Sequence, residues 1–329
     1  MSRRMLYVVG APRSGSKLLR ELLNRHSRIV FTTHETEFLP FLLKFQRDHA
    51  LTSPAVFQRL VDYLKLEDYC FFRRLDGFEA PDWQAWFKRL SAASGGAEAF
   101  TALLEQELQL ADDSIILGDK SPSYVFHLDD VLTQFPDACV VHLVRDPRAQ
   151  AGSEKRVFGK SPRVSGSRWQ RAVDCVVDAR ARFPGRVMEL RYEDLVSDPE
   201  KALTPVCEVL GLRFEHAMTR IDRELERYRK HGDAPAIHRP DAEVYLRDLS
   251  IAEVTDVCRI CATGMQRYGY APGLDSPVAA SAQVVDRDQG SVAGRLRFAA
   301  LTVYRHGPAA LLRKVRLKRA RARIMAGNW

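Results

Sequence analysis

The residues near the start of the chain have the types and the spacing of an anion-binding loop. Residues 10–17 read Gly-Ala-Pro-Arg-Ser-Gly-Ser-Lys, between a short apolar run and leucines at helical spacing. At the start of a helix, backbone N–H groups are unpaired, glycine and serine let an anion approach them, and the helix dipole favours negative charge. Arg13 and Lys17 add formal positive charge. The pattern predicts a phosphate-binding loop, although a tight turn with solvated basic residues fits the same spacing.

This loop departs from the nucleoside-triphosphate loop G-x-x-x-x-G-K-[S/T]. Ser16 stands at the lysine position, and Lys17 is followed by Leu18, which has no hydroxyl group for magnesium. The sequence also lacks the serine elbow G-x-S-x-G and the dinucleotide loop G-x-G-x-x-G. These differences argue against a hydrolase and a dehydrogenase.

A second group of polar residues follows the clearest apolar segment. Residues 139–144 (Cys-Val-Val-His-Leu-Val) predict an inner strand, Arg145 follows it directly, and Ser153 comes eight residues later. A helix is predicted from Arg148 onward. Arg145 therefore leaves the end of the strand and Ser153 returns on the first helical turns, so both side chains can hold one phosphate group.

Together these motifs resemble those of the sulfotransferases that use 3′-phosphoadenosine-5′-phosphosulfate (PAPS). Residues 12–19 look like the family's 5′-phosphosulfate loop, P-[K/R]-S-G-[S/T]-T-x-L, and Arg145 with Ser153 resembles its 3′-phosphate element. The stretch R-Y-E-D-L at 191–195, followed by Asp-Pro and Leu-Gly-Leu, is similar as well. The resemblance covers residues 6–35 and 115–212 well and residues 245–272 weakly.

The resemblance implies transfer of a sulfuryl group from PAPS to an acceptor hydroxyl or amine, with release of adenosine 3′,5′-bisphosphate and without a metal ion. It places Tyr192 near the adenine end of the donor. Lys17 departs from the family pattern, which usually has a hydroxyl residue there, so its contact with the donor stays open. The donor-binding residues implied are Arg13, Ser14, Gly15, Ser16, Lys17, Leu18, Arg145, Ser153 and Tyr192.

The catalytic residues implied by the resemblance are Glu35, Lys120 and Arg13. Lys120 matches the family lysine that contacts the transferred group, but Pro122 stands where one branch of the family has a histidine base. Glu35, five residues before a proline, matches the E-T-x-x-x-P pattern of the branch that includes tyrosylprotein and heparan sulfate sulfotransferases. Glu37 is the second candidate for the base.

Apolar runs that alternate with helical patterns predict an α/β fold, and the resemblance makes it a P-loop-like three-layer fold with a central parallel sheet. The catalytic domain is expected to span residues 1–272, with a helical insert at about 40–110 that shapes the acceptor pocket. Residues 273–294 are rich in glycine, proline, serine and alanine and predict a linker.

A basic tail follows this linker. The net charge of +8 comes from the stretch after Asp288, which has ten lysines and arginines and no acid. Residues 295–329 alternate basic and apolar residues and predict an amphipathic helix. Such a helix could bind an anionic membrane surface, stay solvated, or bind an acidic partner, with nucleic acid the least favoured.

The composition is that of an ordinary globular protein. The 329 residues are 46% apolar and 28% charged, and no stretch approaches 18 consecutive apolar residues. No signal peptide is apparent, so a cytoplasmic location is expected, peripheral to a membrane if the tail docks there. Cys258-x-x-Cys261 has no second pair or histidine cluster beside it, which disfavours zinc.

Two other functions stay open from the sequence: a P-loop nucleotide kinase or hydrolase, and a non-catalytic nucleotide-binding protein. A requirement for magnesium would indicate the kinase or hydrolase, because a sulfotransferase should work in EDTA. The acceptor is not fixed by these motifs, because a fold and a donor site do not determine it. A small molecule, carbohydrate, lipid or peptide would fit.

Overall fold

A five-stranded sheet lies at the centre of the computed structural model, which describes residues 3–90, 96–220, 244–271, 303 and 306–327. The strand order is β2-β3-β1-β4-β5, and β2 pairs parallel with β3 as β4 does with β5. The inner strands are buried along their whole length, as expected for a parallel sheet covered on both faces. The predicted α/β fold is confirmed. The strands are β1 (Met5–Val9), β2 (Ile29–Phe31), β3 (Ile116–Lys120), β4 (Cys139–Val144) and β5 (Val187–Arg191).

The helices often begin with proline in their first turn, where the missing N–H and the fixed φ of proline are tolerated. In the described part of the chain they are α1 (Ser16–Leu23), α2 (Leu39–Asp48), α3 (Pro54–Leu64), α4 (Asp68–Leu75), α5 (Trp83–Leu90), α6 (Gly96–Leu108), α7 (Leu128–Gln134), α8 (Pro147–Phe158), α9 (Pro162–Arg182), α10 (Tyr192–Ser197), α11 (Pro199–Val209), α12 (Ile251–Ile260), α13 (Ala262–Tyr268) and α14 (Pro308–Met325). Short 3₁₀ helices cover Pro122–His127, His216–Thr219 and Val244–Arg247.

The chain divides into two compact units, and the division falls within β1, after Tyr7. The first unit comprises the described residues within Met1–Tyr7, Arg28–Ala138 and Thr302–Trp329. The second comprises those within Val8–Ser27 and Cys139–Leu301. The predicted linker at 273–294 lies outside the described residues.

The first unit contains the predicted helical region at 40–110. Its aromatic and leucine stripes form a core rather than a ligand surface, since Phe38, Phe45, Leu60 and Leu64 are buried. Each such side chain contributes about 2 kcal/mol by leaving water. These side chains therefore stabilise the first unit.

The C-terminal helix α14 belongs to this first unit. Its inner face buries Ala310, Leu317, Ala320 and Ile324, and the helix packs against α2. The basic helix predicted from the sequence is therefore anchored along one side, and only its opposite side faces solvent.

The second unit has a core of α8, α9 and α12 around Trp169. Cys258 and Cys261 are buried in this core without a disulfide bond, and the Cys261 thiol donates to the carbonyl of Gly166 at 3.3 Å. No helix within the described ranges is long and apolar enough to cross a bilayer.

Candidate active site

The predicted phosphate loop joins β1 to α1 in the second unit. Gly10 has φ +154°, and a Cβ atom there would lie 2.6 Å from the carbonyl oxygen of Leu143 in β4. Gly15 caps α1 with φ +96°, and a Cβ atom there would overlap the ring of Tyr192. Both glycines are therefore required by close backbone approaches, and the second lets Tyr192 lie directly on the loop.

The side chains of the loop point in different directions. Ser14 is 1% exposed, and its hydroxyl has no hydrogen-bond partner in the described part of the chain. Such an orphaned hydroxyl costs free energy unless a ligand satisfies it. Ser16 is buried at the start of α1, Leu18 is half-buried, and Lys17 is exposed on the first turn. The buried serine and the helix start fit a phosphate or sulfate oxygen.

The two predicted anion-binding elements meet at Arg13. Its Nε donates to the hydroxyl of Ser153 at 3.1 Å, and Arg145 donates to the backbone carbonyl of Arg13 at 3.4 Å. Arg13 has φ +70°, a strained conformation for a residue other than glycine. The fold therefore holds Arg13 between both elements, where its guanidinium can contact more than one anionic group.

Tyr192 completes this cluster from the end of β5. The guanidinium carbon of Arg145 lies 4.5 Å from the centre of its ring, a cation–π contact. The Tyr192 ring thus contacts Gly15 with one edge and packs against the guanidinium of Arg145. This packing holds Arg145 at the end of β4.

Several supporting residues were not found from the sequence. Gln150 is fully buried and donates to the carbonyl of Pro12 at 2.7 Å, and Trp169 donates to the carbonyl of Arg145 at 2.9 Å. Glu193 accepts from the N–H of Asp146 at 3.1 Å. Only Asp146 carries a local signal, because an aspartate before a proline is a typical helix cap, and its carboxylate accepts from the N–H of Arg148.

Glu35 and Lys120 form an ion pair in the first unit. Lys120 ends β3 and its side chain is 9% exposed, whereas that of Glu35 is 42% exposed. The structure therefore brings together the base and the cation that the resemblance assigns to the transfer step.

A buried network holds the loop that carries Glu35. Asp119 accepts from the hydroxyls of Thr36 and Ser121, and Thr36 also contacts the hydroxyl of Tyr124. Tyr124 accepts from the N–H of Leu39 at 3.1 Å. Burial raises the pKa of Asp119 to about 6, against the effect of these hydrogen bonds. Since all four polar residues are fully buried, the loop is fixed at Thr36 and at Leu39.

Glu37 lies on this loop with φ +48°. Burial, and then the carboxylate of Glu35, raise its pKa to about 7, while the guanidinium of Arg321 acts in the opposite direction. Glu37 is thus a carboxyl group that changes charge near neutral pH.

Comparison with known proteins agrees with this fold and these motifs. The model of the sulfotransferase family matches residues 6–216, so the chain belongs to the sulfotransferase family. The family predicted from the loop and strand motifs is therefore confirmed.

Individual relatives are more distant. The chain is 31% identical over 122 residues to the omega-hydroxy-beta-dihydromenaquinone-9 sulfotransferase Stf3 of Mycobacterium tuberculosis, covering 32% of this chain and 31% of that protein. It is 28% identical over 228 residues to the nodulation protein NoeE of Sinorhizobium fredii, covering 67% of this chain and 48% of that protein. The chain thus spans less than half the length of these relatives.

One solved structure is similar over a larger share of both chains. The sulfotransferase domain of the olefin synthase of Synechococcus PCC 7002 is 27% identical, with a TM-score of 0.54. The match covers 80% of this chain and 94% of that domain. The similarity thus extends through most of the catalytic fold.

Proposed function

We propose that this protein transfers a sulfuryl group from PAPS to a hydroxyl group of an acceptor. The observation that carries the proposal is the contact of Arg13 with both Ser153 and Arg145. Two elements that each suit a phosphate group are thereby joined, as a nucleotide with a 3′-phosphate and a 5′-phosphosulfate requires.

The donor would be held by residues of the second unit. Arg145 and Ser153 would bind the 3′-phosphate, and the buried hydroxyl of Ser14 with the start of α1 would bind the 5′-phosphosulfate. Arg13 would stabilise charge on the bridging oxygen as it develops. Tyr192 would lie near the adenine, and Ser16, Lys17 and Leu18 would line the loop.

The chemistry needs a base and a cation near the acceptor. PAPS supplies the sulfuryl group and departs as adenosine 3′,5′-bisphosphate. The acceptor oxygen bonds to sulfur as the bond from sulfur to the phosphate oxygen breaks, and Glu35 takes the hydroxyl proton. Lys120 neutralises charge on the transferred group, and its flexible stem lets the ammonium group leave Glu35 for this purpose.

A lipid or other small molecule is the favoured acceptor class. One relative is by its name a sulfotransferase of a hydroxylated menaquinone. Carbohydrate, peptide and amine acceptors would use the same base and cation, so the acceptor class is to be separated by experiment.

The outer face of α14 supports a membrane partner. This face carries Arg316, Arg319 and Arg323, all exposed, beside Leu312 and Val315, which are 64% and 43% exposed. Cations complement anionic headgroups, and the apolar side chains can enter the interface. We propose that it docks on an anionic membrane from the cytoplasmic side, where a lipid acceptor would be reached.

The test is a sulfuryl-transfer assay with PAPS labelled at sulfur and a panel of hydroxylated lipids, sugars and peptides, run in EDTA. Labelled product that persists in EDTA supports the proposal, and a requirement for magnesium contradicts it. A thermal-shift titration with adenosine 3′,5′-bisphosphate should raise the melting temperature. No shift at millimolar concentration would contradict the donor assignment.

A further inference from the structure

One peptide group between β4 and α8 is held from both sides by side chains of other helices. This peptide group joins Arg145 to Asp146. Its carbonyl oxygen, on Arg145, accepts from the indole N–H of Trp169 in α9 at 2.9 Å. Its N–H, on Asp146, donates to a carboxylate oxygen of Glu193 in α10 at 3.1 Å. Both polar atoms of the planar peptide group are therefore fixed, and with them the direction in which the chain leaves Arg145.

The start of α8 explains why the carboxylate comes from another helix. Asp146 is the N-cap of α8, so its N–H has no partner within that helix. In a capping box, a glutamate or glutamine at the third helical position accepts from this N–H. The third position of α8 is Ala149, whose side chain has no acceptor. Glu193 therefore supplies the carboxylate that α8 itself lacks.

Glu193 is in turn held by Tyr270. The Tyr270 hydroxyl donates to the other carboxylate oxygen of Glu193 at 2.7 Å. Tyr270 is 6% exposed and belongs to the same core as Trp169, and its backbone N–H donates to the carbonyl of Met265 in α13 at 2.9 Å. Burial, and then the charge of Glu193, raise the pKa of Tyr270 well above its ordinary value, so the hydroxyl keeps its proton and donates.

The side chain of Arg145 starts from this fixed peptide group. Tyr192 packs its ring against the guanidinium, 4.5 Å from the guanidinium carbon. The first residue of α10 thus contacts the side chain of Arg145, and the second residue holds the peptide group that follows it. A guanidinium binds a phosphate best in a planar, two-pronged arrangement, which depends on the direction of the guanidinium plane. Freedom in the peptide group would let this plane turn away from a bound phosphate.

We propose that Glu193 is a positioning residue of the donor site, which fixes Arg145 through the N–H of Asp146 and so sets the preference for a nucleotide with a 3′-phosphate. This inference rests on the proposed function. Glu193 makes no contact with the donor in this arrangement and takes no part in the transfer step. Its loss should weaken the contribution of the 3′-phosphate to binding and spare that of the adenosine and the 5′-phosphate.

The experiment measures two affinities by isothermal titration calorimetry, for adenosine 3′,5′-bisphosphate and for adenosine 5′-monophosphate, which lacks the 3′-phosphate. Glu193→Ala should reduce the preference for the bisphosphate by about tenfold, through weaker binding of the bisphosphate. Glu193→Gln should retain most of the preference, because the amide oxygen still accepts from the N–H of Asp146. Tyr270→Phe should give an intermediate value, because Glu193 then loses one of its two hydrogen bonds.

Glu200→Gln is the matched control. Glu200 is an exposed glutamate in the first turn of α11, and this variant should bind both nucleotides as the wild type does. A merely structural role of Glu193 would weaken both nucleotides equally, so an equal loss in Glu193→Ala overturns the proposal, as does an unchanged preference. If Glu193→Ala does not fold, Tyr270→Phe decides: a reduced preference supports the proposal, and the wild-type preference overturns it.

The titrations also separate this inference from the proposed function. A wild type that binds both nucleotides equally has no 3′-phosphate site, which contradicts the donor assignment and the positioning role together. A wild-type preference that Glu193→Ala retains overturns the positioning role and leaves the donor site standing. In the sulfuryl-transfer assay, Glu193→Ala should raise the KM for PAPS by about tenfold and change kcat by less than about twofold. A lower kcat with an unchanged KM would overturn the positioning role.

Discussion

The Nε of Arg13 donates a hydrogen bond to the hydroxyl of Ser153 at 3.1 Å, across 140 residues of sequence. The first residue belongs to the loop after β1 and the second to the second turn of α8. This one contact joins the two predicted anion-binding elements, and the donor site is best tested there.

Arg13→Ala should weaken binding of adenosine 3′,5′-bisphosphate by about tenfold to a hundredfold, because it removes a hydrogen bond of about 1.5–3 kcal/mol to a charged group. Ser153→Ala should weaken it similarly. Isothermal titration calorimetry measures both affinities. Arg163→Ala is the control, since Arg163 pairs with Asp256 on the surface of the second unit. Equal affinities in all three variants would count against the donor site.

Gly15→Ala should abolish most nucleotide binding. The substitution adds about 1–2 kcal/mol of strain at φ +96°, and the new methyl group displaces the ring of Tyr192 from beneath Arg145. Gly185→Ala is the matched control, because Gly185 has φ +76° but nothing within 4 Å of the added atom. Both variants should lose stability in urea, but only Gly15→Ala should lose affinity. Normal binding by Gly15→Ala would show that Tyr192 has no part in the site.

Glu35→Gln should lower kcat by about a hundredfold or more, as expected for removal of a general base, with little change in nucleotide affinity. Lys120→Met should lower kcat as well, because a cation beside the transferred group is lost. Single-turnover assays with labelled PAPS measure both effects. Thr33→Ala, at an exposed position of the same loop, should retain activity. Full activity in Glu35→Gln would remove this residue from the mechanism.

His142 should make the protein less stable in mild acid. It is 1% exposed in β4, and burial lowers its pKa to about 4 from an ordinary value of 6.5. The unfolded chain therefore binds the proton first, so stability is complete above pH 6.5 and falls toward pH 4, by at most about 3 kcal/mol. Urea unfolding at pH 7.5 and 4.5 should show a smaller difference for His142→Leu than for the wild type. Equal differences would contradict this assignment.

Charge reversal on the outer face of α14 should remove membrane binding. The triple variant of Arg316, Arg319 and Arg323 to glutamate should lose co-sedimentation with vesicles of anionic lipid. Its melting temperature should stay close to that of the wild type, because all three side chains are exposed. Vesicles of neutral lipid are the control, and Leu317→Ala should instead lower the melting temperature, since Leu317 is buried. Retained binding by the triple variant would disprove the docking surface.

The strands and the phosphate loop were predictable because their signals are local. Apolar runs such as β4 are buried on both faces, and the glycines at 10 and 15 stand where backbones approach closely. The sequence could also predict that Arg145 and Ser153 bind the same phosphate group. Arg145 directly follows a predicted strand, and Ser153 lies on the first turns of the helix that comes next.

The supporting network was not predictable for the opposite reason. Asp119 is a single acid at a strand end, and nothing near it in sequence indicates that Thr36 binds it or that Tyr124 in turn contacts Thr36. Arg321 looked like one more cation of a basic tail, and its pairing with Glu67 joins residues 254 positions apart. Such contacts depend on tertiary packing, which no local pattern contains.

The contact between buried Glu67 and Arg321 also determines when the first unit can finish folding during synthesis. Until the ribosome has produced residue 321, a carboxylate at position 67 would enter the core without its counter-ion, a defect on the order of 3–5 kcal/mol. We therefore expect the nascent first unit to stay open while the ribosome translates the intervening two hundred and more codons, and to close only when translation is nearly finished. Chaperone dependence should then be greatest for this half of the molecule.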